Sequence, residues 1–194
     1  MERRDLRQKM LEIRKSLTST MVNKASKQIC EVVKDLDSFK SAERVASYVG
    51  CNGEVKPSFL ESNDSKIFSL PVAQEDGLLK FVKPEGELKK GKFGIPEPKT
   101  GVEIDISELD LVLVPLVAAD SSGNRLGHGA GYYDKNFAED RIFKRPVLVG
   151  LAYDFQIVEE LESNCLDVPL DILITESQLF FCKMSHFRVP MGEY

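Results

Sequence analysis

The chain has 194 residues, 42% hydrophobic and 29% charged, which fits a globular protein and excludes a disordered, collagenous or disulfide-scaffold chain. Lysine and arginine total 26 against 31 aspartate and glutamate, so a formal charge of -5 offers no general field for nucleic acid, and an anionic small molecule must be held by a local basic site. Cys30, Cys51, Cys165 and Cys182 form no CxxC pair and His128 lies far from His186, which argues against zinc, and no run approaches the ~20 apolar residues of a membrane helix.

In chain order, Leu6, Met10, Ile13 and Leu17 recur at helical spacing and predict a helix over about the first sixteen residues, begun by Arg3, Arg4 and Arg7. A hydroxyl at Thr18 or Ser19 can cap a second helix, whose stripe of Val22, Ile29, Val33 and Leu36 ends near Asp37. Alternating or apolar runs then predict strands over 44–49, 66–70, 78–82, 111–114 and 147–151, with 171–174 as a shorter sixth. Residues 57–62, 131–140 and 155–162 have helical length or composition. The pattern predicts an α/β fold: a single domain over 1–194, with a mainly parallel central sheet flanked by helices and two N-terminal helices. The wholly apolar run 111–114 belongs at the centre of that sheet. Residues 84–101, with three prolines and four glycines, form the longest stretch predicted to lack regular structure, and Phe93 within it suits stacking on a flat ring.

Residues 120–134, DSSGNRLGHGAGYYD, carry the most chemistry. Gly127, Gly129 and Gly131 alternate, so the backbone can approach a ligand closely and turn several N–H groups toward an anion. The helix that follows adds its positive end, and Arg125 supplies a fork for phosphate oxygens. The loop is neither a Walker A motif, which ends in Gly-Lys-Ser/Thr, nor a Rossmann fingerprint, which needs glycine where Tyr132 stands. Taken alone, the glycine triplet fits an ordinary turn better than a ligand nest, and Arg125 with Tyr132-Tyr133-Asp134 shifts the balance.

The string Gly123-Asn124-Arg125-Leu126-Gly127-His128-Gly129-Ala130-Gly131-Tyr132-Tyr133-Asp134 resembles the signature of the 5-formyltetrahydrofolate cyclo-ligase family. So do Arg3-Arg4-Asp5-Leu6-Arg7, Ser47-Tyr48-Val49 with Gly53-Glu54-Val55, Phe93-Gly94-Ile95-Pro96-Glu97-Pro98, Gly150-Leu151-Ala152-Tyr153 and Asp167-Val168-Pro169-Leu170-Asp171, in that order. The resemblance implies an enzyme that uses ATP and magnesium to close 5-formyltetrahydrofolate into 5,10-methenyltetrahydrofolate through a phosphorylated iminium. It implies catalytic roles for Arg125 and Tyr132. ATP would be bound by Arg3, Arg4, Leu6 and Arg7 and by the loop Arg125, Leu126, Gly127, His128, Gly129, Ala130, Gly131, Tyr132 and Tyr133. The folate would meet Arg7, Val49, Glu54, Phe93, His128 and Tyr132, with Glu54 accepting from pterin N–H groups, and magnesium would sit on Asp134 and Asp167. Arg4, about 100° around the helix from Arg3, is expected to matter least of the arginines.

The same residues leave two other readings open: a nucleotide-binding regulatory protein without catalysis, and a sugar-phosphate isomerase on a similar scaffold. The partners expected are small molecules, with no nucleic acid and no membrane, for a cytoplasmic monomer. The tail beyond Glu176 is assigned no function, and its Phe180 and Phe181 are expected to pack.

Overall fold

A computed structural model describes residues 2–61, 65–138 and 144–182, except for the side chain of Phe93. Helix α1 (Arg3–Ser16) buries Leu6, Met10 and Arg14, one residue per turn along one stripe. The predicted stripe thus ends on a charged side chain, while Ile13 and Leu17 are only half-buried. Helix α2 (Ser19–Asp35) is capped by Thr18, whose hydroxyl accepts from Met21 N, and buries Val22, Ser26, Ile29, Cys30 and Val33. A short α3 (Asp37–Ser41) follows and tucks Phe39 into the core.

Eight strands form the main sheet: β1 (Arg44–Ala46), β2 (Ile67–Ala73), β3 (Leu79–Pro84), β4 (Gly101–Ile104), β5 (Leu111–Pro115), β6 (Val147–Leu151), β7 (Ile172–Ile174) and β8 (Leu179–Phe181). Their order is β8-β7-β6-β5-β1-β2-β3-β4. The central pairs β2/β1, β1/β5, β5/β6 and β6/β7 are parallel, and the outer pairs at both edges are antiparallel. The mixed α/β architecture with a mainly parallel centre is as the sequence predicts.

The apolar run in β5 is central because both faces of the sheet are covered. Leu111 and Leu113 enter a core with α2 and α3 residues, while Val112 and Val114 enter a second core on the other face with Phe81 and Phe137. A third, smaller core seats Leu6 and Met10 of α1 on Val117, Ala118, Leu126 and Leu161. Each such fully buried side chain stabilises the fold by about 2 kcal/mol. The strand order reverses between β1 and β5, so the carboxyl ends of those strands frame a crevice at the switch point of the sheet.

Three expectations are corrected. Residues 155–162 are not helical: a tight turn (Asp154–Gln156) leads into a short strand (Ile157–Val158) parallel to Ala118–Asp120. The buried Gln156 fixes that path by donating to Leu116 O and Val117 O and accepting from Tyr153 N, and the β-branched pair after it favours extension. Residues 84–101 are not irregular, because Leu88–Lys90 and Pro96–Pro98 pair as a hairpin around a turn at Lys92–Gly94. A two-stranded ribbon has free outer edges, which is where prolines fit. Phe181 is 72% exposed on edge strand β8, whereas Phe180 packs on the second core. The tail from 183 onward lies outside the described residues.

Candidate active site

The glycine-rich loop is anchored by Asp120, a buried carboxylate that accepts from Ser122 N, Asn124 N, Asn124 Nδ2 and Leu161 N, all at 2.9–3.0 Å. This closes a small hairpin in which Arg125–Leu126 pairs with Ala118–Asp120. Leu126 then points into the core, and the chain beyond it is released as a loop. Gly129 (φ +105) and Gly131 (φ +67) adopt backbone conformations that favour glycine. A side chain added at Gly127 or Gly131 would meet open space, so the loop backbone borders a void. Helix α4 (Tyr132–Phe137) starts there, preceded by Gly131, which gives no side-chain cap.

Arg125 is 8% exposed. Its Nη2 donates to Asp134 Oδ1 at 2.6 Å and its Nη1 to Val168 O, so the guanidinium ties the loop to the segment carrying Asp167. Burial lowers the Arg125 pKa while Asp134 opposes that shift. Asp134 Oδ1 also accepts from Val168 N at 3.1 Å. Arg3 reaches across from α1 to Asp167 Oδ2 at 2.9 Å, and Arg7 Nε donates to Gly127 O at 2.9 Å. Arg7 therefore reaches the glycine loop and Arg3, four residues earlier, the segment carrying Asp167, while Arg4 is exposed. Leu6 faces the core under the loop and holds α1 in place.

Asp134 Oδ2 and Asp167 Oδ1 have no hydrogen-bond partner among the described residues. Two carboxylates flanking Arg125, each with an oxygen to spare, fit a magnesium ion that keeps water and phosphate oxygens as its other ligands. They do not make a self-sufficient protein cage, and no cluster of three or more metal-binding side chains occurs among the described residues.

A cavity of about 380 Å³ opens from this region along the switch point, lined by Arg125, Gly127, His128, Ala130, Gly131, Tyr132, Tyr133 and Asp134 on one side. Tyr48, Val49 and Pro115 contribute from the ends of β1 and β5, with Glu54, Pro71, Ala73, Leu79, Lys92 and Glu97 completing it. Lys92 Nζ lies 5.8 Å from the centre of the Tyr132 ring, while Tyr133 stacks on Phe137 at 6.1 Å. The expectation for Phe93 concerns a side chain outside the described residues.

Glu54, 6% exposed, is already engaged. Oε1 meets His128 Nε2 at 2.9 Å and lies 3.5 Å from Arg14 Nη1, and Oε2 accepts from Cys51 N at 3.0 Å and Cys51 Sγ at 3.4 Å. Burial raises its pKa, but the bonds from His128 and Cys51 N and the charge of Arg14 outweigh burial and hold it below the usual range. Burial and the Glu54 charge push the Cys51 thiol up to about 11, so it remains a neutral donor. Arg14, 1% exposed, also donates to Asn52 O and Leu116 O. It was not singled out from the sequence, although its spacing of four from Met10 and eight from Leu6 puts it on the buried stripe. Glu97, likewise not assigned, is buried in the cavity wall.

The fold is that of an α/β protein whose cavity lies at the switch point of a largely parallel sheet. Residues 1–176 match the family model for the 5-formyltetrahydrofolate cyclo-ligase family, and the chain belongs to that family of ligases. It is 34% identical over 183 residues to the 5-formyltetrahydrofolate cyclo-ligase of Haemophilus influenzae, covering 89% of this chain and 97% of that one. It is 31% identical over 176 residues to the enzyme of the same name from Escherichia coli K12, covering 86% and 96%. The solution structure of Aquifex aeolicus 5,10-methenyltetrahydrofolate synthetase superposes with a TM-score of 0.80 at 32% identity, covering 98% of this chain and all of that one.

Proposed function

We propose that this chain converts 5-formyltetrahydrofolate to 5,10-methenyltetrahydrofolate with consumption of ATP, releasing ADP and phosphate. The observation that carries this reading is the continuity of one cavity from Arg125 and Asp134, beside the glycine loop, to Val49 and the Glu54–His128 pair. A nucleotide and a folate can therefore meet without leaving the protein, as direct transfer requires.

The formyl oxygen attacks the γ-phosphorus of ATP and ADP leaves, giving the iminium phosphate. The second folate nitrogen then adds to the activated carbon and phosphate departs. An amide oxygen is a poor leaving group until phosphorylated, so the protein must screen the triphosphate, align the attacking oxygen and exclude water. Arg3, Arg7, Arg125 and the amides of Gly127, Gly129 and Gly131 do the screening. Asp134 and Asp167 would hold magnesium, which would supply positive charge against the phosphate oxygens. Val49, Glu54, Phe93, His128 and Tyr132 form the folate side, and Tyr132, next to both, helps align the reacting atoms.

We further propose that the chain works as one unit over 1–194, as a cytoplasmic monomer. In support, no helix among the described residues is long and apolar enough to cross a membrane. Purified protein given 5-formyltetrahydrofolate, magnesium and ATP should develop methenyl-folate absorbance with one ADP per product. ATP binding without product would favour the regulatory reading, and turnover of a sugar phosphate without ATP would favour the isomerase.

A further inference from the structure

Two carboxylates are buried in the cavity wall, and their situations are opposite. Glu54 has partners on both oxygens. Glu97, 7% exposed, has a single long bond from Ala73 N to Oε1, at 3.4 Å. Its Oε2 has no hydrogen-bond partner, and Glu97 makes no ion pair, among the described residues. With Oε1 held only by that long bond and Oε2 unpaired in the cavity wall, Glu97 keeps acceptor capacity for a ligand.

The local structure holds Glu97 there. The hairpin between Leu88–Lys90 and Pro96–Pro98 closes with Gly91 N donating to Ile95 O at 2.8 Å. A Cβ at Gly91 would fall 2.1 Å from Glu97 Cδ, so the carboxyl group lies directly across that glycine, and no other residue leaves it room. Pro71, Leu79, Ile95 and Pro96 give the same cavity apolar wall. A rigid carboxylate in apolar surroundings selects a flat ring that offers two adjacent N–H donors, since two parallel bonds satisfy both of its oxygens at once.

From this contrast we infer that Glu97 reads the donor edge of the pteridine, the ring N–H and the 2-amino group, and sets the preference for a 2-amino-4-oxo ring. Glu54, whose oxygens are already bonded to His128 and Cys51, holds His128 in the same cavity. This inference rests on the proposal that the cavity takes a folate. A site built to pair ring donors discriminates strongly against an analogue lacking one of them, because a buried acceptor is then left unpaired.

The test compares 5-formyltetrahydrofolate with its 2-desamino analogue by calorimetry on wild-type protein, Glu97→Gln and Glu97→Asp, with turnover measured in parallel. Wild type should bind the analogue roughly 10- to 100-fold more weakly. Glu97→Gln should bind the natural folate weaker by a similar factor and lose most of the discrimination, with the KM for ATP unchanged. Equal affinity of wild type for the two ligands overturns the assignment, even if neither variant folds. Full discrimination retained in a folded Glu97→Gln overturns it as well. If wild type binds neither folate and shows no turnover, the functional proposal fails instead.

Discussion

Glu54 and His128, separated by 74 positions, meet at 2.9 Å over the buried guanidinium of Arg14. Among the described residues Glu54 is the only acidic partner of the Arg14 guanidinium, which is 1% exposed, so Glu54→Gln should lower stability at neutral pH by on the order of 3 kcal/mol. The pKa of Glu54 is held below its ordinary value of 4.5, so its contribution is fully present above that pH and is lost as pH falls through the lower, folded value. Denaturant titrations across that acid range should show a flatter pH dependence for Glu54→Gln than for wild type. Parallel curves would mean that Glu54 ionises alike in both states.

Arg125 is part of the fold as well as of the proposed chemistry, since it joins Asp134 to Val168 O from a buried position. Arg125→Ala should therefore lower both turnover, by at least about 100-fold, and the melting temperature. Asp134→Asn keeps the packing and should lose turnover with a smaller change in melting temperature. Near-normal rates in either variant would remove the phosphate-loop assignment.

Gly127 separates binding from stability. Its φ lies outside the glycine-favouring region and a Cβ there meets open space, so Gly127→Ala should fold at least as stably as wild type, gaining up to about 1 kcal/mol. The methyl group would stand where phosphate approaches, so the KM for ATP should rise. Unchanged ATP use would mean that the nucleotide passes elsewhere. Gly129→Ala, at φ +105, should instead lose stability and activity together.

Arg3 and Arg7 contact Asp167 and the backbone of Gly127, whereas Arg4 is exposed. Arg3→Ala and Arg7→Ala should each raise the KM for ATP about tenfold or more, and Arg4→Ala should change it little. Magnesium-ATP should also slow hydrogen exchange over the first sixteen residues. Equal effects of all three substitutions would show that α1 acts only through its net charge.

What the sequence makes legible follows from what its patterns encode. Runs such as LVLV identify strands because burial on both faces demands continuous apolar side chains, and the Thr18 cap is visible because its hydroxyl acts locally. Residues 155–162 misled because Gln156 owes its conformation to carbonyls some 40 positions away. The hairpin within 84–101 was hidden because prolines and glycines suit its edges and turn as well as they suit a loop. In the site, the glycine loop announces itself by spacing. Arg14 and Glu97 do not, because a charged residue reads as exposed until the fold shows what surrounds it.

The central claim is that the formyl oxygen itself attacks the γ-phosphorus of ATP. Turnover of 5-formyltetrahydrofolate carrying heavy oxygen in its formyl group, followed by mass analysis of the released phosphate, tests it directly. One labelled oxygen per phosphate is the predicted result. Unlabelled phosphate, with the heavy oxygen recovered in water or formate, would contradict it.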